Sequence, residues 1–323
     1  MKVSLEKKKE LLYEMLRIRR VQERIESLYL QDEMKTPIHL CIGQEAIAVG
    51  VCGVLDKGDY VTSNHRGHGH YLAKGGDLKA MIAELHCKKT GCSKAYGGSM
   101  HLVDVSVGHL GSSSIVGGGI AIATGLGLAI QMKKMDRVSV VFFGDGAADE
   151  GILYESINFA MLRKLPVIYI LENNQWSVCS HVSARQVDRN IFHGAPRELL
   201  FTMKIDGNNI LGVYESAYRA AERARKGLGP SFIECETYRI VGHAGCASQE
   251  PTGYRDEKEV ASWREKCPIT SLQTVLTERG VLTPDELAVM EGQIGAEIDE
   301  AFAFAKESPL PAYENLDANV FCE

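Results

Sequence analysis

The chain has 323 residues, 45% of them hydrophobic and 24% charged, with a net charge of −6. That is ample apolar material for a large buried core, and the slightly acidic, mixed-sign charge leaves no basic nucleic-acid footprint. Nine cysteines without a CxxC pair read as reduced thiols of a cytoplasmic protein and argue against a disulfide framework or a cysteine zinc site.

Residues 4–30 predict an amphipathic helix, with Leu11, Leu12, Met15, Ile18, Val21 and Ile25 on one face. The opening MKVSLEKKKELLYEML is charged and has no signal-peptide core. Residues 36–40 read as a short extended segment and 44–55 as a tightly packed apolar helix. Glu45 at its start reads as a helix-terminal acid favoured by the dipole, in preference to a catalytic carboxylate. TSNHRGHGHYLAKGG follows and reads as a loop. His65, His68 and His70 invite a zinc reading, but no fourth ligand stands at a clear spacing. Arg66, a forked and permanently charged donor, suits a diphosphate better. Residues 77–87 predict a helix. Residues 115–130 are the most apolar run. They are short for a membrane span and rich in glycine, so they read as a buried loop and helix. Gly125 and Gly127 read as helix or subunit packing positions.

The centre of the chain is residues 138–178. Residues 138–143 are β-branched and aromatic, a buried strand that stops at Gly144-Asp145-Gly146. Asp149 and Glu150 open a helical pattern with Leu153, Ile157, Ala160 and Met161 on one face, which Pro166 ends. Residues 167–171 form a second buried strand that stops at Asn173-Asn174. Strand, helix, strand makes a parallel unit with both polar ends at one carboxyl edge, where open α/β sheets bind ligands. Asp145 offers a carboxylate and Asn174 a side-chain carbonyl, hard oxygen donors of the kind Mg²⁺ takes together with phosphate and water. Gly144 and Gly146 let backbone N–H groups approach a phosphate. The plainer alternative is that both motifs are simply turns. Their position at matching strand ends favours the ligand reading.

Residues 185–200 read as loop and short helix and 201–205 as a strand. A turn with an N-cap at 206–209, a helix at 210–226 and a strand at 231–238 follow. YRIVGHAGCASQEPTGYRDEKEV is a polar loop just past a strand end, a place where function concentrates. From residue 259 two or three helices are predicted. The longest of these, 283–306, is capped by Thr283 with Pro284 in its first turn. The tail is extended.

GDG, roughly thirty residues and then NN resembles the thiamine-diphosphate-binding motif. FFGDGAADEGILYESINFAMLRKLPVIYILENN is similar to the alpha subunit of the dehydrogenase component of 2-oxo acid dehydrogenase complexes. That family includes the pyruvate, branched-chain 2-oxo acid and acetoin dehydrogenases. CIGQEAIAVGV, GGSMH and the closing segment extend the resemblance over nearly the whole chain. It implies an α/β thiamine-diphosphate-binding fold whose central, mostly parallel sheet is flanked by helices. One domain would span 1–323, with an N-terminal helix and a C-terminal helical extension.

Residue by residue, the resemblance implies that Asp145, Asn174 and the backbone carbonyl of Trp176 hold Mg²⁺. Arg66 would hold the cofactor diphosphate with His65, which stands where the family has an aromatic residue. Gly144, Gly146 and Ala147 would line the same site. Backbone groups at Ser114 and Val116 would meet the aminopyrimidine, and Val116 would prop the bent cofactor. His68 matches a histidine two residues after the arginine. His243 matches one that contacts the diphosphate and assists acyl transfer. Ala244 replaces the serine phosphorylated in mitochondrial relatives, which fits a bacterial complex. The chemistry implied is cleavage of a C–C bond next to a carbonyl, with the acyl fragment passed to a lipoyl acyltransferase. No carboxylate in this chain stands out to activate the cofactor. The resemblance implies that a beta subunit supplies it, in an α2β2 heterotetramer. Other readings are a non-dehydrogenase two-chain thiamine enzyme, transketolase-like or carboligating, and a non-catalytic structural subunit. The GGSMH and YESINFA stretches favour the dehydrogenases, and Asp145, Asn174, Arg66 and His243 together argue against a decayed site.

Overall fold

The predicted N-terminal helix forms as α1, Leu5–Tyr29, capped by Ser4 whose hydroxyl accepts from the Lys7 amide. Its six predicted face residues are all buried. This computed structural model describes residues 3–187, 198–246 and 253–313. Helix α2, Glu45–Cys52, is buried along its whole length. Strand β1, Tyr60–Asn64, leads through a three-residue turn into α3, His68–Ala73. The stretch expected as one long loop is therefore mostly strand and helix, and His68 and His70 are helical. Helix α4, Leu78–Leu85, is capped by Asp77. Strand β2, His109–Ser113, and helix α5, Gly118–Met132, follow.

Strand β3, Ser139–Gly144, helix α6, Gly151–Arg163, and strand β4, Val167–Asn173, are the predicted central unit. Helix α6 is ended by Lys164 in a left-handed cap, two residues before Pro166. A small separate hairpin, β5 (Trp176–Ser177) and β6 (Ser180–His181), follows β4. Then come β7, Phe201–Asp206, α7, Ile210–Arg225, and β8, Ser231–Glu236. Helices α8 (Glu257–Glu265), α9 (Pro268–Glu278) and α10 (Pro284–Glu307) close the described chain. Thr283 and Glu286 make a full capping box at the start of α10. Part of the loop expected at 185–200, part of the segment after His243 and the tail from 314 lie outside the described residues.

Six strands make one wholly parallel sheet in the order β2-β1-β3-β4-β8-β7. Residues 36–40, buried except for Pro37, join no ladder among the described strands. The pleat sends alternate residues to opposite faces. Val140, Phe142, Ile168 and Ile170 pack with α7 residues such as Val213 and Ala217. Val141, Phe143, Tyr169 and Leu171 pack with Ile120 of α5 and Leu153 and Ile157 of α6. Burial on both faces is why these strands are apolar without alternation. Burying each large side chain contributes roughly 1.5–3 kcal/mol. A third cluster joins α1, α4 and α10 beside the sheet. The described cysteines are free thiols, Cys41, Cys52 and Cys235 being buried. No helix among the described residues is long and apolar enough to cross a membrane.

The chain moves outward from β1 to β2 and then returns to lay β3 on the other side of β1. That reversal opens a crevice at the carboxyl ends of β1 and β3.

Candidate active site

Three strand ends meet at this crevice. After β1, Asn64 makes a side-chain turn, its Oδ1 accepting from the Arg66 amide at 2.8 Å. The Arg66 guanidinium is buried and donates to two main-chain carbonyls, Leu40 at 2.6 Å and His243 at 3.0 Å. One side chain thus ties the loop after β8 to the turn after β1. Burial and then the neighbouring Arg239 push Arg66 down to about 9, so it remains a cation at neutral pH.

After β3 come Gly144, Asp145 and Gly146. A Cβ at Gly144 would meet nothing and would project into open space, whereas one at Gly146 would meet Ser177 Oγ at 2.4 Å. Asp145 is nearly inaccessible. Burial raises its carboxyl, opposed by the guanidinium of Arg185, which pairs with both Asp145 and Asp149. Gln186 adds a bond to Asp149 at 2.6 Å. After β4, Asn174 Oδ1 accepts from the Trp176 amide at 3.1 Å and its Nδ2 donates to Gln44 at 3.3 Å. The register pairs Gly144 with Glu172, so the two strands end level.

His65, Arg66, Val116, Gly144, Asp145 and Gly146 all line one cleft, as do Ala147, Asn174, Trp176 and His243. The rings of His39, His65 and His243 pack at 4.6–5.3 Å between centroids. Neither ring nitrogen of His65 has a partner among the described residues, nor does Nδ1 of His39. Burial first, and then Arg66, pushes His39 down to about 3 and His243 to about 4, so both are neutral at pH 7. Tyr254 sets its ring edge-on against Trp176 at 5.5 Å.

Two expected residues stand elsewhere. His68 is fully buried behind the turn, with Nε2 on Ser99 at 2.7 Å and Nδ1 on the Gln22 amide. The helix that begins at residue 68 turns this ring toward α1. Ser114 is exposed and bonds His101 at 3.1 Å. The trio considered for zinc does not assemble, because His70 faces Ser63 and Glu172 at 2.7 and 3.1 Å. Glu45 forms a bidentate pair with Arg19 and accepts from the Gly43 amide, which bears out its structural reading. Sequence reasoning missed Gln44, Glu172, His39 and Arg185. Glu172 carried a signal, as the residue before Asn173-Asn174. Arg185 carried none.

The donor set fits a phosphate ester with a hard cation: a forked guanidinium, unpartnered imidazole nitrogens, a glycine-walled cradle and a buried carboxylate beside an amide oxygen. Arg66→Lys keeps the charge but loses the fork, so cofactor affinity should fall by about tenfold or more. Calorimetry measures it, and unchanged affinity would remove Arg66 from the diphosphate site.

A parallel α/β sheet with these groups at its switch point is an architecture suited to binding a phosphate-bearing ligand. The chain belongs to the family described as the dehydrogenase E1 component, which matches residues 13–314. It is 40% identical over 308 residues to the alpha subunit of acetoin:2,6-dichlorophenolindophenol oxidoreductase from Bacillus subtilis, covering 95% of this chain and 91% of that one. It is 37% identical over 308 residues to the pyruvate dehydrogenase E1 component subunit alpha of Rhizobium meliloti, covering 95% and 88%. A chloroplastic E1 alpha-3 subunit of Arabidopsis thaliana is 36% identical over 321 residues, covering 97% and 74%. The chain is accordingly an oxidoreductase subunit of the alpha type. Membership implies thiamine diphosphate as cofactor, and the alpha naming of the relatives implies a beta subunit.

Proposed function

We propose that the chain is the alpha subunit of a thiamine-diphosphate- and Mg²⁺-dependent dehydrogenase acting on acetoin or on a 2-oxo acid such as pyruvate or a branched-chain analogue. The observation that carries this is the convergence of Arg66, Asp145, Asn174 and His243 on one cleft at the sheet's switch point. Bound thiamine diphosphate supplies the electron sink for cleaving a C–C bond next to a carbonyl. Asp145, Asn174 and the Trp176 carbonyl hold the cation, and Arg66 with His65 holds the diphosphate. Val116 stands beside the cradle of Gly144, Gly146 and Ala147. Ser114, exposed and outside the residues that line the cleft, would have to reach the aminopyrimidine through its backbone.

His243 is neutral at pH 7. A neutral imidazole there would have one N–H for a diphosphate oxygen and a second nitrogen to carry a proton during acyl transfer to a lipoyl acyltransferase. His68 supports the Arg66 turn from behind. The alternative of a non-dehydrogenase thiamine enzyme loses weight beside the dehydrogenase relatives.

Among the described residues, the only carboxylate lining the cleft besides Asp145 is Glu172, which is held by His70 at 3.1 Å and Asn64 at 3.4 Å. A beta subunit therefore supplies the acid that activates the cofactor, in an α2β2 assembly within the cytoplasm. The outer face of α5 and α6 supports such a partner. Ile122, Met132, Tyr154, Phe159 and Leu162 are exposed on these two helices, large apolar side chains of the kind a partner covers. Residues 1–323 act as one cofactor-binding domain. The purified chain alone should show no turnover, and the pair with its beta subunit should reduce an artificial acceptor with one substrate of a panel of acetoin and 2-oxo acids. Robust turnover by the chain alone would overturn the two-chain site.

A further inference from the structure

Asp145 already has a cationic partner within the chain. Arg185 follows the β5–β6 hairpin and is tied back to it by a bond from Nε to the Ser180 carbonyl at 3.4 Å. Its guanidinium spans Asp145 and Asp149, with its side chain 16% exposed and that of Asp145 3% exposed. Gln186 fastens the same segment to Asp149 at 2.6 Å and to the Asp145 carbonyl at 3.5 Å. A carboxylate this buried has to be compensated by a nearby positive charge or by its own protonation. Two cations cannot share it at low cost. A divalent ion on the free oxygen would lie within a few ångström of the guanidinium, where burial leaves the repulsion poorly screened.

We propose that Arg185 is a tethered counter-ion that competes with the divalent cation for Asp145, so that metal binding and release of the 180–187 segment from the cleft are linked. The inference rests on the reading of Asp145 as a metal ligand. Asp149 is the second half of the device. When the cation takes Asp145, the guanidinium keeps Asp149 and moves toward solvent, since that carboxylate is 29% exposed. The linkage runs both ways: whatever draws Arg185 off tightens the metal, and the metal loosens the segment. Arg185 is thus a positioning residue that tunes metal affinity.

The test is Mn²⁺ titration followed by the paramagnetic resonance of the free ion, at fixed thiamine diphosphate, on the chain co-purified with its beta subunit. Arg185→Gln should bind Mn²⁺ about tenfold more tightly than the unaltered chain, the scale of one displaced charge–charge contact. Asp149→Asn should bind it about threefold less tightly, and that loss should shrink in the double variant, because the two residues act as one unit. Unchanged or weaker Mn²⁺ binding by Arg185→Gln overturns the inference; weakening confined to titrations that include thiamine diphosphate would make Arg185 a diphosphate ligand instead. Asp145→Asn separates the two levels. If it binds Mn²⁺ like the unaltered chain, the metal reading itself fails. If it binds weakly while Arg185→Gln is unchanged, only the counter-ion fails.

Discussion

Asp145→Ala is expected to abolish divalent-cation-dependent binding of thiamine diphosphate, a loss of about a hundredfold or more, since even groups that only orient metal ligands are worth roughly 10–100-fold. The reason lies in the donor set. In the proposed ligand set Asn174 and the Trp176 carbonyl are neutral, so Asp145 carries all of its charge. It sits between two glycines at the end of β3, and its removal leaves the strand ladder intact. Helix content and thermal unfolding should therefore stay close to those of the unaltered chain while calorimetry shows the loss. Asp145→Asn should behave almost as badly, because it keeps shape and oxygen but not charge. If either variant binds cofactor and Mg²⁺ with unchanged affinity, the metal site is elsewhere.

The second large effect is on stability in acid. His39, His68 and His109 are buried and held neutral, with burial pushing them down to about 3, 4 and 3. The unfolded chain takes up these protons near pH 6.5, and the folded chain takes them up only well below that. Stability from these rings is therefore complete above about pH 6.5 and is lost as the pH falls toward each folded value. The loss is about 1.4 kcal/mol per pH unit for each ring, hence roughly 2 kcal/mol per ring by pH 5. Asp145, raised by its burial, works in the opposite sense. Urea midpoints of the cofactor-free chain should drop steeply between pH 7 and pH 5. A flat profile over that range would show that the rings are already protonated or solvated in the folded protein. His68→Gln should flatten the profile by one ring's share, because glutamine can still bond Ser99 or Gln22 without titrating.

Much of the fold was legible because its signals are local. The apolar runs of β3 and β4 need no partner to be recognised, and Thr283-Pro284 announces the start of α10 by cap chemistry alone. Strands β1 and β2 were not legible. YVTSN and HLGSS are short and half polar, and they become strands through pairing with each other and β3. The left-handed residue at Lys164 likewise ends α6 before Pro166 could.

By itself, the sequence determined that β3 and β4 end in Gly-Asp-Gly and Asn-Asn around one helix, and that an arginine in a glycine-rich turn accompanies them. Spacing and residue type are enough for that, because both strands are buried on two faces and their polar ends can lie only at the edge. Tertiary structure decided which of the candidate histidines line the cleft. His65 and His243 line it, with the ring of His39 packed against both, while His68 and His70 turn away on the first turn of α3, since a helix rotates each successive side chain by about 100°. It also decided that the guanidinium beside Asp145 comes from Arg185, which the β5–β6 hairpin brings back across 40 residues of chain, a separation that no local pattern signals.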